Sequence, residues 1–301
     1  MWSNVPMDLD SYHRLLAGES FLAPLAPRAL WKLSGPDSER YLNGQVTADM
    51  PKLTDGTATY AAVCTAKGRM EGDLSLARHG ADFYMDAIPE LRESLGARLD
   101  KYLIADDAQF EDLSEEWQLI HVLGTAMPST PEGGFVIAHA RFGLPGHDVW
   151  SPATSAAPKG AIVDADILET LRLEHAIPKW GTELGTTTLP PEAGPHMLAA
   201  ISYTKGCYVG QETNARLKSV GHVNRSLVLL RADAATPPAP GTKLVHDGRE
   251  AGTITSSSFS PRLGKGIALA YVQRQFTADG TVLMCEGRPL TVIAPLSGTK
   301  T

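Results

Sequence analysis

Lys205-Gly206-Cys207-Tyr208-Val209-Gly210-Gln211-Glu212 concentrates unusual chemistry in eight residues. Lys205 stands two positions before the thiol, and Gly210 is expected to open a helix through Gln211 to Leu217. A cation and the positive end of a helix dipole near Cys207 would each favour thiolate over thiol. The competing reading is a buried cysteine that packs as a small hydrophobe, the common fate of free cysteine.

Working outward from the octapeptide, Lys179 to Met197 is rich in Gly, Thr and Pro and reads as a long ordered loop of the kind that carries function. A helix is expected before it, from about Asp164 to Ala176, stopped by Pro178. Beyond Gly221 the texture changes to short strands: His222 to Arg231, Thr242 to Val245, Glu250 to Ser257, Ile267 to Val272, Thr281 to Cys285 and Pro289 to Ile293. Strands so spaced, with turns such as Asp247-Gly248 between them, predict a small closed barrel.

Nearer the N-terminus, Ala29 to Ser34, Thr57 to Cys64, Met70 to Arg78 and Asp82 to Ile88 read as strands. In the third of these Leu74 and Leu76 alternate with Asp73 and Ser75. Gly35-Pro36-Asp37 starts one helix, with Tyr41, Leu42 and Val46 facing the core. Pro89 opens another, whose Leu91, Leu95, Leu99 and Tyr102 form one buried stripe. Ala108 to Trp150 alternates strand-like runs with loops. The expected fold class is α+β, with mixed sheets and helices in residues 1–220 and a small antiparallel β-barrel in residues 221–301.

Composition bounds the function. The chain has 301 residues, 27 basic and 34 acidic, for a net charge of -7, so it has no global attraction to phosphate backbones or anionic lipid. Three scattered cysteines, Cys64, Cys207 and Cys285, argue against a disulfide framework and for a reducing compartment, with Cys64 and Cys285 as packing residues. Met1 to Asp10 holds no Lys or Arg and carries Asp8 and Asp10, unlike a presequence, and no apolar run approaches membrane-spanning length. The expectation is a soluble cytoplasmic protein without direct nucleic-acid or membrane partners. No His-Glu-x-x-His or close cysteine pair suggests a metal, and no Gly-x-Ser-x-Gly elbow suggests a serine hydrolase. Leu263-Gly264-Lys265-Gly266-Ile267 imitates a phosphate loop but leads into a strand, so it reads as a hairpin turn.

The octapeptide, followed by Ala215-Arg216, resembles the signature of the YgfZ family of folate-binding proteins, relatives of the glycine cleavage T-protein, an aminomethyltransferase. Tyr41-Leu42-Asn43-Gly44-Gln45-Val46-Thr47-Ala48-Asp49, Leu171 to Pro178 and Gly252 to Val272 are similar to other elements of that superfamily, so the resemblance spans roughly residues 25 to 295. It implies a T-protein-like folate-binding domain followed by the barrel, with tetrahydrofolate or a one-carbon derivative as cofactor. It points to Glu174 as the carboxylate that accepts from the adjacent donors of a pterin ring. The other reading of Glu174 is an ordinary helix ion pair. Tyr84 is expected either to line the pterin pocket or to pack as a core aromatic. Lys205, Arg216, Lys67 and Arg69 are candidates for the glutamate tail of folate, or else solvated surface charge.

T-proteins carry two adjacent aspartates, the first catalytic, on the strand that here reads Met70-Glu71-Gly72-Asp73-Leu74. Matching Asp73-Leu74 to the second aspartate and its leucine puts Gly72 at the catalytic position, which leaves Glu71 or Asp73 to substitute. His175-Ala176 stands where the family's R-L-E-x-G element has its glycine. The resemblance therefore implies an accessory protein, with folate and iron-sulfur client or assembly proteins as partners, that supports cluster assembly or repair, including in radical tRNA-modifying enzymes. In that reading Cys207 is a functional thiol. The alternatives are a folate-dependent aminomethyl or methyl transferase, and a scaffold with a vestigial pocket.

Overall fold

The computed structural model describes residues 7–25, 27–219 and 221–296; the reading of Met1 to Pro6 as no presequence, and the boundary drawn at Val220, lie outside these. In chain order the elements are α1 (Leu9–Leu16), β1 (Phe21–Ala23), β2 (Ala29–Ser34), α2 (Ser38–Gln45), β3 (Ala58–Cys64), β4 (Met70–His79), β5 (Asp82–Ala87), α3 (Arg92–Asp100), β6 (Gln109–Asp112), β7 (Trp117–Leu123), β8 (Phe135–Ala138) and β9 (Gly146–Pro152). Then follow α4 (Ala165–Glu174), α5 (Gly194–Ala199), α6 (Gln211–Ser219), β10 (Arg225–Ala232), β11 (Lys243–His246), β12 (Arg249–Ser260), β13 (Lys265–Gln273), β14 (Val282–Cys285) and β15 (Arg288–Ile293).

The first sheet, ordered β3-β4-β5-β2-β6, is antiparallel throughout. One face buries Trp31, Leu33, Val63, Leu74, Leu76 and Met85 against Leu42 of α2 and Leu95 and Leu99 of α3. Its other face meets a four-stranded sheet, β1-β7-β9-β8, where Leu30, Ala77 and Tyr84 pack on Phe135 and Trp150. Aromatic residues gather in this layer, with Tyr84 4.5 Å from Phe135 and 5.6 Å from Trp150.

The C-terminal strands close into a barrel, β10-β13-β12-β11-β14-β15, because β10 pairs with both β13 and β15. Leu230, Ile254, Ala268, Ala270, Leu283 and Val292 fill its interior. Leu227, Leu229, Ile267 and Leu269 point outward onto Leu173 and Ala176 at the end of α4. Since β13 is buried on both sides, it reads as an unbroken apolar run and not as an alternation.

The segment before β1, to which the sequence reading assigns no element, holds a helix, α1, started by the Asp8 side chain accepting from the Asp10 and Ser11 amides. Two expectations need correction. The stretch from Lys179 to Met197 is not all loop, since α5 begins at Gly194. Tyr102 does not join the buried stripe of α3: it is 47% exposed, with the Arg98 guanidinium 4.2 Å from its ring centroid. The helix ends at Asp100, before its periodicity reaches Tyr102.

Candidate functional site: an anchored thiol loop and a buried polar cluster

The octapeptide and the Tyr41–Asp49 segment, far apart in sequence, form one structural unit. The Val209 amide donates to Gly44 O (3.1 Å), the Ser202 amide to Thr47 O (2.9 Å), and the Lys205 ammonium to Asn43 O (2.7 Å), Val46 O (2.6 Å) and Ala48 O (2.5 Å). Thr47 is fully buried between them: its hydroxyl donates to Ala200 O and accepts from the Ala62 amide, both at 2.9 Å. The segment after α2 thereby covers the edge strand β3, whose backbone groups would otherwise be unpaired.

The remaining residues of the octapeptide also have identifiable work. Tyr208 is buried and its ring lies 4.8 Å from Lys205 Nζ; its amide donates to Gln211 Oε1 at 3.3 Å. Gly210, at φ +85°, sits so close to the β3–β4 turn that a Cβ there would lie 2.6 Å from Thr65 O, and Gly68 meets Thr213 in the same way. Only a residue without a side chain tolerates both that φ and that approach. Gly210 is followed at once by α6, as the sequence predicts. Cys207, between the anchors at Lys205 and Val209, is exposed, while Cys64 and Cys285 are buried. Burial pushes the Cys64 thiol up to about 12.

A second feature is built from the two sheets, the 139–141 loop, α5 and the residue after α4. Arg141 is bound by Asp148 (Nε 2.7 Å, Nη2 2.8 Å) and by Asp86, which also accepts from Arg28 Nε at 2.8 Å. Asp148 further engages His121 Nδ1 (2.8 Å) and His139 Nδ1 (2.7 Å). Asp86 and Asp148 are each 1% exposed, and the arginines hold both below the usual carboxylate range despite burial. Desolvation pushes His121 down.

Beside this network, the Tyr60 hydroxyl donates to Asp73 Oδ2 at 2.6 Å, and the Tyr60 ring lies 4.9 Å from the His196 ring. Burial raises Asp73 and lowers His196 to about 4, with His139 and His175 opposing protonation of His196. Buried acceptors without partners among the described residues here include Asp73 Oδ1, His121 Nε2, and His175 Nε2, whose ring bonds Leu171 O through Nδ1 at 2.8 Å.

The structure revises several sequence-based roles. Lys205 cannot serve either the thiolate or a folate tail, because its ammonium is bound among backbone carbonyls and is pushed down to about 8 by burial. Tyr84 packs as a core aromatic between the sheets, 4.5 Å from Phe135 and 5.6 Å from Trp150. Arg216 is exposed on α6.

Glu174 is wholly buried: it accepts from the Tyr12 hydroxyl at both oxygens (2.9 Å each) and from Ser260 Oγ at 2.5 Å. It pins α1, α4 and β12 together. Gly72 faces the apolar core, where a Cβ would lie 3.0 Å from Leu95, and Glu71 pairs with Arg98. The carboxylate on the opposite face of β4 is Asp73, which accepts from Tyr60. Ala176 stands where the family has glycine and adopts φ +51° all the same. Tyr12, Tyr60 and His196 escaped the sequence reading; their partners lie on distant elements, and no local pattern marks them.

The anchored thiol and the buried cluster are carried by different elements. The end of α2, the β3–β4 turn and α6 hold Cys207, and none of them contributes a residue to the cluster.

Comparison with known proteins agrees with this architecture. The GCVT N-terminal domain matches residues 29–128, and the glycine cleavage T-protein C-terminal barrel domain matches residues 225–293. The tRNA-modifying protein YgfZ of Sodalis glossinidius is 30% identical over 262 residues, 78% of this chain and 80% of that protein. Its counterpart in Pectobacterium carotovorum is 31% identical over 269 residues, 78% and 81% of the two chains. An aminomethyltransferase of Rubrobacter xylanophilus is 29% identical over 295 residues, 87% of this chain and 78% of that one. The crystal structure of aminomethyltransferase T from Bartonella henselae superposes with a TM-score of 0.81 at 18% identity, covering 96% of this chain and 89% of that one, and so shares the fold. With the octapeptide intact and both T-protein domains in place, the chain belongs to the YgfZ family within the glycine cleavage T-protein superfamily.

Proposed function

We propose that this chain is a cytoplasmic tetrahydrofolate-binding accessory protein that supports iron-sulfur cluster assembly or repair in client enzymes, including radical enzymes that modify tRNA. The observation that carries the reading is the anchored loop: Lys205, Tyr208, Val209, Gly210 and Gln211 all hold structure, and Cys207 alone among its cysteines is exposed. A fold that needed only a small apolar side chain there would bury it. An exposed thiol is available to a client or a cluster.

The buried cluster fits a folate head group in its donor chemistry. A pterin presents adjacent N–H donors, and Asp73 Oδ1 and His175 Nε2 are buried acceptors without partners. In this reading Asp73 and His175 hold the ring, Tyr60 orients Asp73, and Glu174 adds an acceptor once Tyr12 moves. Folate would supply a one-carbon carrier.

Complementation tests the thiol: a deletion strain should regain its cluster-dependent enzyme activities with the wild-type gene and not with Cys207→Ser. Full rescue by the serine variant would end this reading. Titration calorimetry with tetrahydrofolate tests the pocket, and binding should fall at least about tenfold in Asp73→Asn through loss of a charged acceptor. Turnover of an aminomethyl or N-methyl donor to methylenetetrahydrofolate would favour the transferase instead, with Asp73 as its carboxylate.

A further inference from the structure

The carbonyls around Lys205 Nζ make an oxygen site in their own right. Asn43 O is an orphan of the last turn of α2, because the Thr47 amide that would close that turn donates to Ala62 O instead. Val46 O and Ala48 O follow it in the chain, Asn43 Oδ1 adds a fourth oxygen at 3.4 Å, and the Tyr208 ring closes one side. The three backbone oxygens at 2.5–2.7 Å match the three N–H bonds of an ammonium one to one. Converging carbonyl oxygens at the negative end of a helix are also the ligand set that holds a potassium or ammonium ion.

We propose that Lys205 is a tethered cation filling a monovalent-cation site of backbone carbonyls, and that occupancy of this site fixes the loop that presents Cys207. Lys205 is thus a positioning residue for the thiol, a role that rests on the reading of Cys207 as functional. Without the ammonium, three carbonyls lose their donor, and the amides of Ser202 and Val209 remain as the loop's bonds to the segment after α2. A small free cation can then enter the same oxygens.

The test is amide hydrogen exchange on full-length Lys205→Ala. Exchange at Ser202 and Val209 should accelerate by about tenfold or more while β13 keeps its protection. Ammonium or potassium chloride should slow it again, and tetramethylammonium chloride at equal ionic strength, too large and without N–H donors, should not. Unchanged exchange, or equal rescue by tetramethylammonium, would overturn the proposal. If the variant does not fold, the same salts are compared for their power to restore folding, with the same ranking expected. In the wild-type chain, the nitrogen-15 signal of the Lys205 ammonium should show slow proton exchange; exchange as fast as that of surface lysines would also refute it. These readouts follow the loop itself, so a failed complementation result for Cys207 leaves them distinguishable.

Discussion

Acid should destabilise this protein through His196. Burial beside Tyr60 lowers the imidazole from 6.5 to about 4, so between those values the unfolded chain binds a proton that the folded chain refuses. Stability therefore rises with pH across this window and is lost as pH falls through it. A gap of about 2.5 pH units at roughly 1.36 kcal/mol each gives up to about 3 kcal/mol. Since His121 is lowered in the same direction and the paired carboxylates Asp86 and Asp148 titrate below, the total acid loss will be larger. The His196 share is isolated by comparing wild type with His196→Phe, which keeps a ring against Tyr60. Urea denaturation at pH steps from 7.5 to 4 should show the two stability curves converging by about 3 kcal/mol toward acid pH. Parallel curves would mean that His196 is readily protonated in the folded chain, and the account of a buried, neutral imidazole against Tyr60 would fail.

Three further outcomes follow from the geometry. In native protein a thiol reagent should modify Cys207 at the rate of an exposed cysteine and reach Cys64 and Cys285 only on unfolding; Cys207→Ser should leave stability within about 0.5 kcal/mol, as surface changes do. Arg141→Met should cost about 3–5 kcal/mol in denaturant unfolding, because it leaves Asp86 and Asp148 buried without their shared cation. Gly210→Ala should destabilise by more than about 1–2 kcal/mol, through a left-handed φ and a clash with Thr65 O, and should raise the protease sensitivity of the 202–209 loop.

The barrel was legible because its signals are local. Asp247 and Gly248 both take positive φ between β11 and β12, as a two-residue hairpin turn requires, and the flanking strands carry their own apolar pattern. Helix α1 was hidden by polar surface residues, although the Asp8 cap and Leu15 were there to be read. At the site, position 72 against 73 was a question of side-chain parity. A bulge opposite Val63 and Cys64 sends Glu71 and Gly72 toward α3, and a one-residue difference selects which face a carboxylate serves. Glu174 and Lys205 were found as residues, but their partners, Tyr12 and the end of α2, lie about 160 positions away. Sequence shows which residues carry unusual chemistry; it does not show which of their hydrogen bonds are already taken.

The distance between the halves of the thiol unit also has a kinetic meaning. Lys205 reaches back 157 to 162 residues to its carbonyls, and α6 docks on a turn formed near residue 68. Contacts of such separation carry the entropy of closing long loops and are made after local hairpins and helices have formed. The β3–β4 hairpin and α2 leave the ribosome first and must be in place before the later segment has anything to grip. The geometry in which Cys207 is displayed is therefore a product of completed long-range folding, and its exposure in that geometry reports that both halves of the unit have come together.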